Sequence, residues 1–387
     1  MSTLLCINAG GIGDLHGLRM RRLIEGLDLD ATVFDLDTSQ TRLENCRAVW
    51  GLLRKQHWDL VYLESTGIAA GLPLIAAHHA WGQRFVVSTG DSVSGYVRSV
   101  KGPTLGALFG GYERLLYRAC AGFIGWTPYL TGRALHLGAP RGVTIEGAVD
   151  LDRFYPFNAA PRAEARADFG LPPDHLVCGV VGSLRWTPRQ NYCYGLELVE
   201  MMKHLTRSDV SVLIVGDGSG RPRLEARVPP ALRDRVVFTG RLPEAEVVRA
   251  LNAMDLGFIT QTLDGLGAYR LTTKLPEYLA TGLPLAMSPI PGYYDYVPDC
   301  GWALPAAHPA NEEFHRGCAA LVDRLTREQL VEKAAPARSV AEARFAYDPL
   351  RERFARFLTD LLHEQSDPAS PAQASAPPAV PSANAAD

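Results

Sequence analysis

Short apolar runs alternate with longer stretches whose apolar side chains recur every three or four positions, from the first residues to about residue 290. A short, unbroken apolar run reads as a strand buried on both faces, and the longer spacing reads as a helix with one buried side. Strands are predicted near 3–8, 31–36, 59–64, 84–88, 122–126 and 142–146, with helices over 41–56, 68–80, 105–119 and 128–137. A second strand series follows at 176–182, 210–215, 235–239, 255–259 and 283–287. Such βαβ alternation predicts a parallel sheet covered by helices, and its repetition predicts two doubly wound α/β domains. A length of 387 residues fits two domains better than one. The expected order is a first domain over 1–156, a polar Ala/Arg-rich linker over 157–173, a second domain over 174–345 and a terminal helix over 346–364. In the last 22 residues, 13 are Ala or Pro, a composition that cannot form a core, so 365–387 reads as a disordered tail.

The balance of 39 basic and 42 acidic residues, net −3, argues against a dedicated nucleic-acid binder and for a small-molecule partner. Seven scattered cysteines with no C-x-x-C pair, and no clustered histidines, support neither a disulfide framework nor a metal site. The N-terminus has no basic, apolar leader pattern, and no apolar stretch approaches the roughly 18 residues a membrane span needs, so a cytoplasmic protein is expected. The stretch Tyr96 to Arg118 mixes basic, glycine and aromatic residues. It suits peripheral contact with the inner membrane face, although a loop followed by a core-facing helix is the simpler reading.

Five segments carry chemistry. Asn8-Ala-Gly-Gly-Ile-Gly-Asp-Leu-His16 follows the first strand, where Gly11 and Gly13 let a ligand approach the backbone and Asp14 and His16 offer polar groups. It is not a dinucleotide fingerprint, because His16 stands at the third glycine position; a tight strand-to-helix turn explains it equally well. The loop Val181 to Asn191 holds Arg185 and Arg189, two guanidinium groups suited to a diphosphate. Gly216, Asp217 and Gly218, then Gly240, Arg241 and Leu242, mark glycine turns at two later strand ends. Finally, Tyr269 to Pro284 predicts a helix entered through Thr272 and Thr273, with Glu277 about one turn in and a stop at Gly282. Such a helix start suits a phosphate, and a carboxylate there can accept two hydrogen bonds from a ribose diol.

In order and spacing, residues from about Gly122 to Ala286 resemble the GT-B glycosyltransferases, in particular the family 4 retaining enzymes that use nucleotide-diphosphate sugars. The matching pieces are Ile145 to Pro156, Gly182 to Asn191, Gly216 to Gly218, Gly240 to Leu242 and Glu277 to Pro284. The resemblance implies two Rossmann-like domains facing a cleft, the first holding the acceptor and the second the donor, and a helix near Pro349 to Leu362 that returns to the first domain. It assigns the ribose to Glu277, the diphosphate to Arg185 and Arg189, the base to Gly240 to Leu242, and the β-phosphate to the amides of Leu271, Thr272 and Thr273 with Lys274 adding charge. Three departures stand out. Tyr269 replaces a second glutamate eight residues before Glu277, the phosphate loop has Ser183 after Gly182, and Ser88-Thr-Gly-Asp-Ser92 lacks the histidine many members carry.

The activity implied is retaining transfer of a hexose from a nucleotide-diphosphate sugar to the hydroxyl of a saccharide, a lipid-linked saccharide or a small-molecule aglycone. Neither a cofactor nor a metal is expected, since Arg185, Arg189, Lys274 and the helix amides can neutralise the leaving diphosphate. Asp91, His16 and Asp14 are candidates to orient the acceptor hydroxyl, with a turn-capping role the competing reading for Asp91. His78 and His79, on a predicted helix, read as structural. Three alternatives remain: a GT-B epimerase or phosphorylase, a nicotinamide-dependent dehydrogenase, and an inactive partner subunit that binds nucleotide sugar.

Overall fold

The computed structural model describes residues 2–363. The first sheet contains β1 (Thr3–Asn8), β2 (Asp30–Asp35), β3 (Leu60–Glu64), β4 (Phe85–Thr89), β5 (Gly122–Gly125) and β6 (Gly142–Thr144). The second contains β7 (Leu176–Val181), β8 (Val210–Val215), β9 (Val236–Gly240), β10 (Leu256–Ile259), β11 (Leu285–Met287) and β12 (Gly301–Ala303). All pairings within the two sheets are parallel, in the orders β2-β1-β3-β4-β5-β6 and β12-β11-β10-β7-β8-β9. Chain direction across each sheet reverses once, between β1 and β3 and between β7 and β10, and such a reversal opens a crevice at the carboxyl ends of the strands. Runs such as Leu60–Glu64 and Val210–Val215 are buried throughout, as strands covered on both faces by helices must be.

Every predicted strand is present within a residue or two, and one was missed. β12 is three residues at a sheet edge, too short for a period to register. Two further differences have local causes. The helix expected over 105–119 is present as Pro103–Ala119, but the loop expected before it is a second helix, Val93–Lys101; the two are separate because Gly102 takes a φ of 112° and Pro103 can only begin a helix. The expected linker contains the helix Ala159–Asp168, whose buried Arg166 pairs with Asp255 and donates to the Ala253 carbonyl at 3.0 Å. That helix is therefore packed onto the second domain.

The last described helix, Tyr347–His363, packs on the first domain. Its Leu350, Phe354, Leu358 and Leu361 complete an apolar cluster with Leu4, Cys6, Tyr62, Val86 and Ile124. The tail expected at 365–387 lies outside the described residues. Among the described residues no helix is long and apolar enough to cross a membrane.

Candidate functional site

The wall contributed by the second domain is built on glycines. β7 ends beside Gly182, where a Cβ would stand 3.0 Å from Lys274 Nζ, and a Cβ on Gly216 would collide with the Gly182 carbonyl. Gly216 and Gly218 take φ of 135° and 157°, so side chains there would be strained as well as crowded. The Gly216 amide donates to the Gly240 carbonyl at 2.9 Å, which draws the ends of β8 and β9 together. Asp217 spends its carboxylate on this turn, accepting from the Gly218 amide at 2.7 Å. Arg241 is exposed and Leu242 half-buried beside it.

Arg185 and Arg189 project from the β7 loop, both exposed. Neither guanidinium has an ion pair or hydrogen bond among the described residues, and Arg189 reaches across to Gly102 of the first domain, within 3.2 Å of where a Cβ would stand. The helix expected from Thr272 begins two residues later, as Lys274–Ala280, with Leu271 buried before it. The Thr273 side chain does not cap it, and the Thr273 and Lys274 amides donate to no backbone carbonyl among the described residues. Glu277 is half-buried, with no hydrogen bond to its carboxylate. Burial pushes its pKa up to about 8; Lys274 opposes the rise and Glu244 adds to it.

Between the two walls lies a charge chain. Lys274 Nζ sits 3.1 Å above the Tyr194 ring, a buried cation–π contact. Burial holds the Lys274 ammonium below its usual pKa, against the attraction of Tyr194, with Arg270 pushing it further down. Arg270 itself crosses the cleft: its Nε stands 2.8 Å from Asp91 Oδ1, and its Nη2 donates to Oδ2 at 3.4 Å. The two close atoms are not aligned as a hydrogen bond, so the link is chiefly one of charge. Asp91 is thereby engaged with the opposite domain. Tyr269 packs on the core of the first domain, and its carbonyl accepts from Thr127 Oγ1 at 2.9 Å.

On the wall of the first domain, Gly11 and Gly13 take φ of 82° and 80°, and the Gly11 carbonyl accepts from Asn8 Nδ2 at 2.7 Å. Asp14 caps the helix Leu15–Ile24 by accepting from the His16 amide at 3.0 Å. His16 is different: its ring lies on Trp126 at a centroid distance of 4.7 Å, and its Nδ1 is 3.7 Å from Glu64 Oε1. At that distance the contact is one of charge and not a hydrogen bond. Burial, the largest effect, pulls the His16 pKa down, but Glu64, with Asp14 and Asp91 further off, outweighs it and the net shift is upward.

Glu64 was missed in the sequence. It is fully buried at the end of β3, pairs with Arg19 at 3.3 Å, and accepts from Ser88 Oγ at 3.1 Å and from the Tyr62 hydroxyl. Burial raises its pKa most, yet His16, Arg19 and Tyr62 together bring it below the ordinary value. A carboxylate closing the apolar run Leu-Val-Tyr-Leu-Glu was the available signal. The next residue, Ser65, has a φ of 74°, unusual for a residue with a side chain.

Two parallel, doubly wound domains with their switch points facing one cleft, and a terminal helix returning to the first, make this a GT-B fold. Residues 175–324, most of the second domain, match the family model described as glycosyl transferases group 1. A 2-deoxystreptamine glucosyltransferase from Streptomyces kanamyceticus is 33% identical over 192 residues, which are 48% of this chain and 47% of that protein. The chain thus aligns with about half the length of this curated relative. Among solved structures, Anabaena HepE in complex with UDP and glucose superposes over 93% of this chain and 100% of its own, with a TM-score of 0.72 at 14% identity. Sucrose-phosphate synthase from Thermosynechococcus elongatus does so over 94% and 100%, with a TM-score of 0.73 at 16% identity.

Proposed function

We propose that this protein moves a hexose, glucose in the first instance, from a uridine-diphosphate sugar to a hydroxyl of a small polyhydroxylated acceptor. The observation that carries this reading is the cluster of unsatisfied groups on the wall of the second domain. The unpaired guanidinium groups of Arg185 and Arg189 stand on the loop after β7, and the free Thr273 and Lys274 amides and the unpartnered Glu277 carboxylate stand on the helix whose Lys274 lies beside Gly182 at the end of the same strand. A nucleoside diphosphate supplies what each lacks: phosphate oxygens for the arginines and amides, a ribose diol for Glu277. The choice of uridine and glucose rests on HepE, solved with UDP-glucose, and on the glucosyltransferase relative.

In the reading implied by the family 4 resemblance, transfer retains the anomeric configuration. The acceptor oxygen attacks on the face the diphosphate leaves, and the leaving phosphate takes the acceptor proton. Arg185, Arg189 and Lys274 then meet the charge that develops on the phosphate, and Arg241 and Leu242 flank the base. The aminocyclitol named in the relative makes 2-deoxystreptamine the acceptor to try first. The test is UDP release from UDP-glucose with and without 2-deoxystreptamine, with the product's anomeric configuration read by proton NMR. Acceptor-dependent release with an α-linked product supports the reading; no binding of any nucleoside diphosphate overturns it.

A further inference from the structure

Around the ends of the first sheet, buried polar atoms lie without partners. His16 Nδ1 follows β1, Thr66 Oγ1 follows β3 and Trp126 Nε1 follows β5, and among the described residues none has a hydrogen-bond partner. On the facing wall Thr272 Oγ1 is in the same condition, one residue after Leu271, whose side chain packs toward Gly147 beside the Trp126 ring. Orphaned donors and acceptors are rare in a native interior, and Trp126 Nε1 and Thr272 Oγ1, on segments that meet at Gly147, point to a ligand that brings hydroxyls, whereas His16 Nδ1 faces Glu64 at 3.7 Å.

Within this cluster His16 alone is both oriented and basic. One face of its environment is Trp126, whose ring also carries the Arg19 guanidinium at 4.5 Å. Its Nδ1 faces Glu64, which is in turn fixed by Arg19, Ser88 and Tyr62. Nδ1 is buried, while the side chain keeps 28% of its surface, so the accessible ring nitrogen is Nε2. A carboxylate facing Nδ1 favours the tautomer with its proton there and leaves the Nε2 lone pair toward the cleft.

We propose that Glu64 is a positioning residue, fixing His16 so that Nε2 accepts a hydrogen bond from the reacting hydroxyl of the acceptor. This rests on the glycosyltransferase reading above. During transfer the acceptor oxygen bonds to the anomeric carbon, the bond from that carbon to the phosphate oxygen breaks with its electron pair on the phosphate, and the hydroxyl proton passes to that phosphate. His16 orients the hydroxyl and is unchanged at the end. The 3.7 Å gap to Glu64 closes when the hydroxyl engages Nε2, as long contacts in unliganded sites do.

The charged groups facing His16 are Glu64 from β3, Asp14 on its own loop and Asp91 after β4, with Arg19 behind Glu64 and Arg270 holding Asp91. The net field is negative. Removing the Glu64 charge therefore lowers the pH at which His16 titrates.

The experiment compares the full chain with Glu64→Gln by nitrogen-15 NMR of labelled histidine and by pH profiles of glucose transfer from UDP-glucose to 2-deoxystreptamine. In E64Q the His16 titration midpoint falls, the Nδ1–H tautomer loses population, kcat drops roughly tenfold or more, and the acidic limb of the profile moves to lower pH, with the KM for UDP-glucose unchanged. If E64Q does not fold, Glu64→Asp, which keeps the charge beside Arg19 but draws it back from His16, shows the same changes in smaller measure. A parent that transfers glucose while the variant keeps the parental kcat, profile and His16 titration overturns the proposal alone. A parent that releases no UDP with acceptor overturns the transfer reading and this role with it.

Discussion

The two walls of the cleft treat their polar groups in opposite ways. On the first domain, Glu64 is sealed into the floor with Arg19, Tyr62 and Ser88 around it, and only the His16 ring carries its influence outward. On the second, Arg185, Arg189 and Glu277 have no hydrogen-bond partners among the described residues. The first wall pairs its charges on folding; the second leaves Arg185, Arg189 and Glu277 unpaired, as the proposed binding of a nucleoside diphosphate requires. A buried charge is tolerable only if compensated, whereas a partly solvated one can wait.

The largest expected effect breaks the first wall. Arg19→Met leaves Glu64 buried without its countercharge and should cost about 3–5 kcal/mol of stability, measured by urea unfolding. An unchanged midpoint would mean that Glu64 takes up a proton at little cost. The second wall should respond in the reverse sense, losing ligand affinity but little stability. Glu277→Ala is expected to weaken UDP binding by about 2 kcal/mol in calorimetry while leaving the melting temperature at or above that of the parent.

The same carboxyl sharpens the contrast through pH. Its pKa in the free protein is raised to about 8, and a diol needs the ionised form, so UDP affinity should rise as pH increases toward that value and then level off. Because the folded pKa lies above the ordinary carboxyl value, this group also withdraws stability as pH rises through the same window, and Glu277→Gln should remove that slope. Equal UDP affinity at about pH 6 and about pH 9 would show the shift to be absent.

Smaller still, Arg185→Ala or Arg189→Ala should each cost on the order of 1 kcal/mol for UDP and almost nothing for uridine, the difference shrinking in high salt. Last, Asp264 receives a hydrogen bond from Ser99 of the other domain at 2.9 Å, in an exposed setting. Ser99→Ala, which removes only this exposed bond, should change stability by less than about 1 kcal/mol.

The same contrast explains what the sequence could tell. Alternating apolar runs fix strands covered on both faces, so both sheets were readable, apart from the three-residue edge strand β12. The second wall is written in consecutive residues: a loop after a strand, a glycine turn, a short helix with Glu277 on its first turn. Those groups could be found by spacing. The first wall draws Arg19 from a helix, Glu64 from β3, Ser88 from β4 and Trp126 from the end of β5, positions scattered over more than a hundred residues with no local pattern. His16 was found because it follows glycines; Glu64, which orients it, was hidden because it ends an ordinary apolar strand. Asp14 and Asp91 were singled out beside His16, but one caps a helix and the other holds Arg270 across the cleft. Local sequence cannot say which of three nearby polar residues is already occupied.

The helix Tyr347–His363 has a bearing on how the chain is made. The first domain is complete in its strands by residue 144, yet one apolar layer of its core waits for Leu350, Phe354, Leu358 and Leu361. During synthesis that domain must leave the ribosome with the face open, while some two hundred further residues are added and the second domain folds. Its final stability is therefore gained only after residues 347–361 have emerged and packed onto it. A nascent chain arrested before Tyr347 should be sensitive to protease in its first domain and bind hydrophobic dyes, whereas one extended past Leu361 should not.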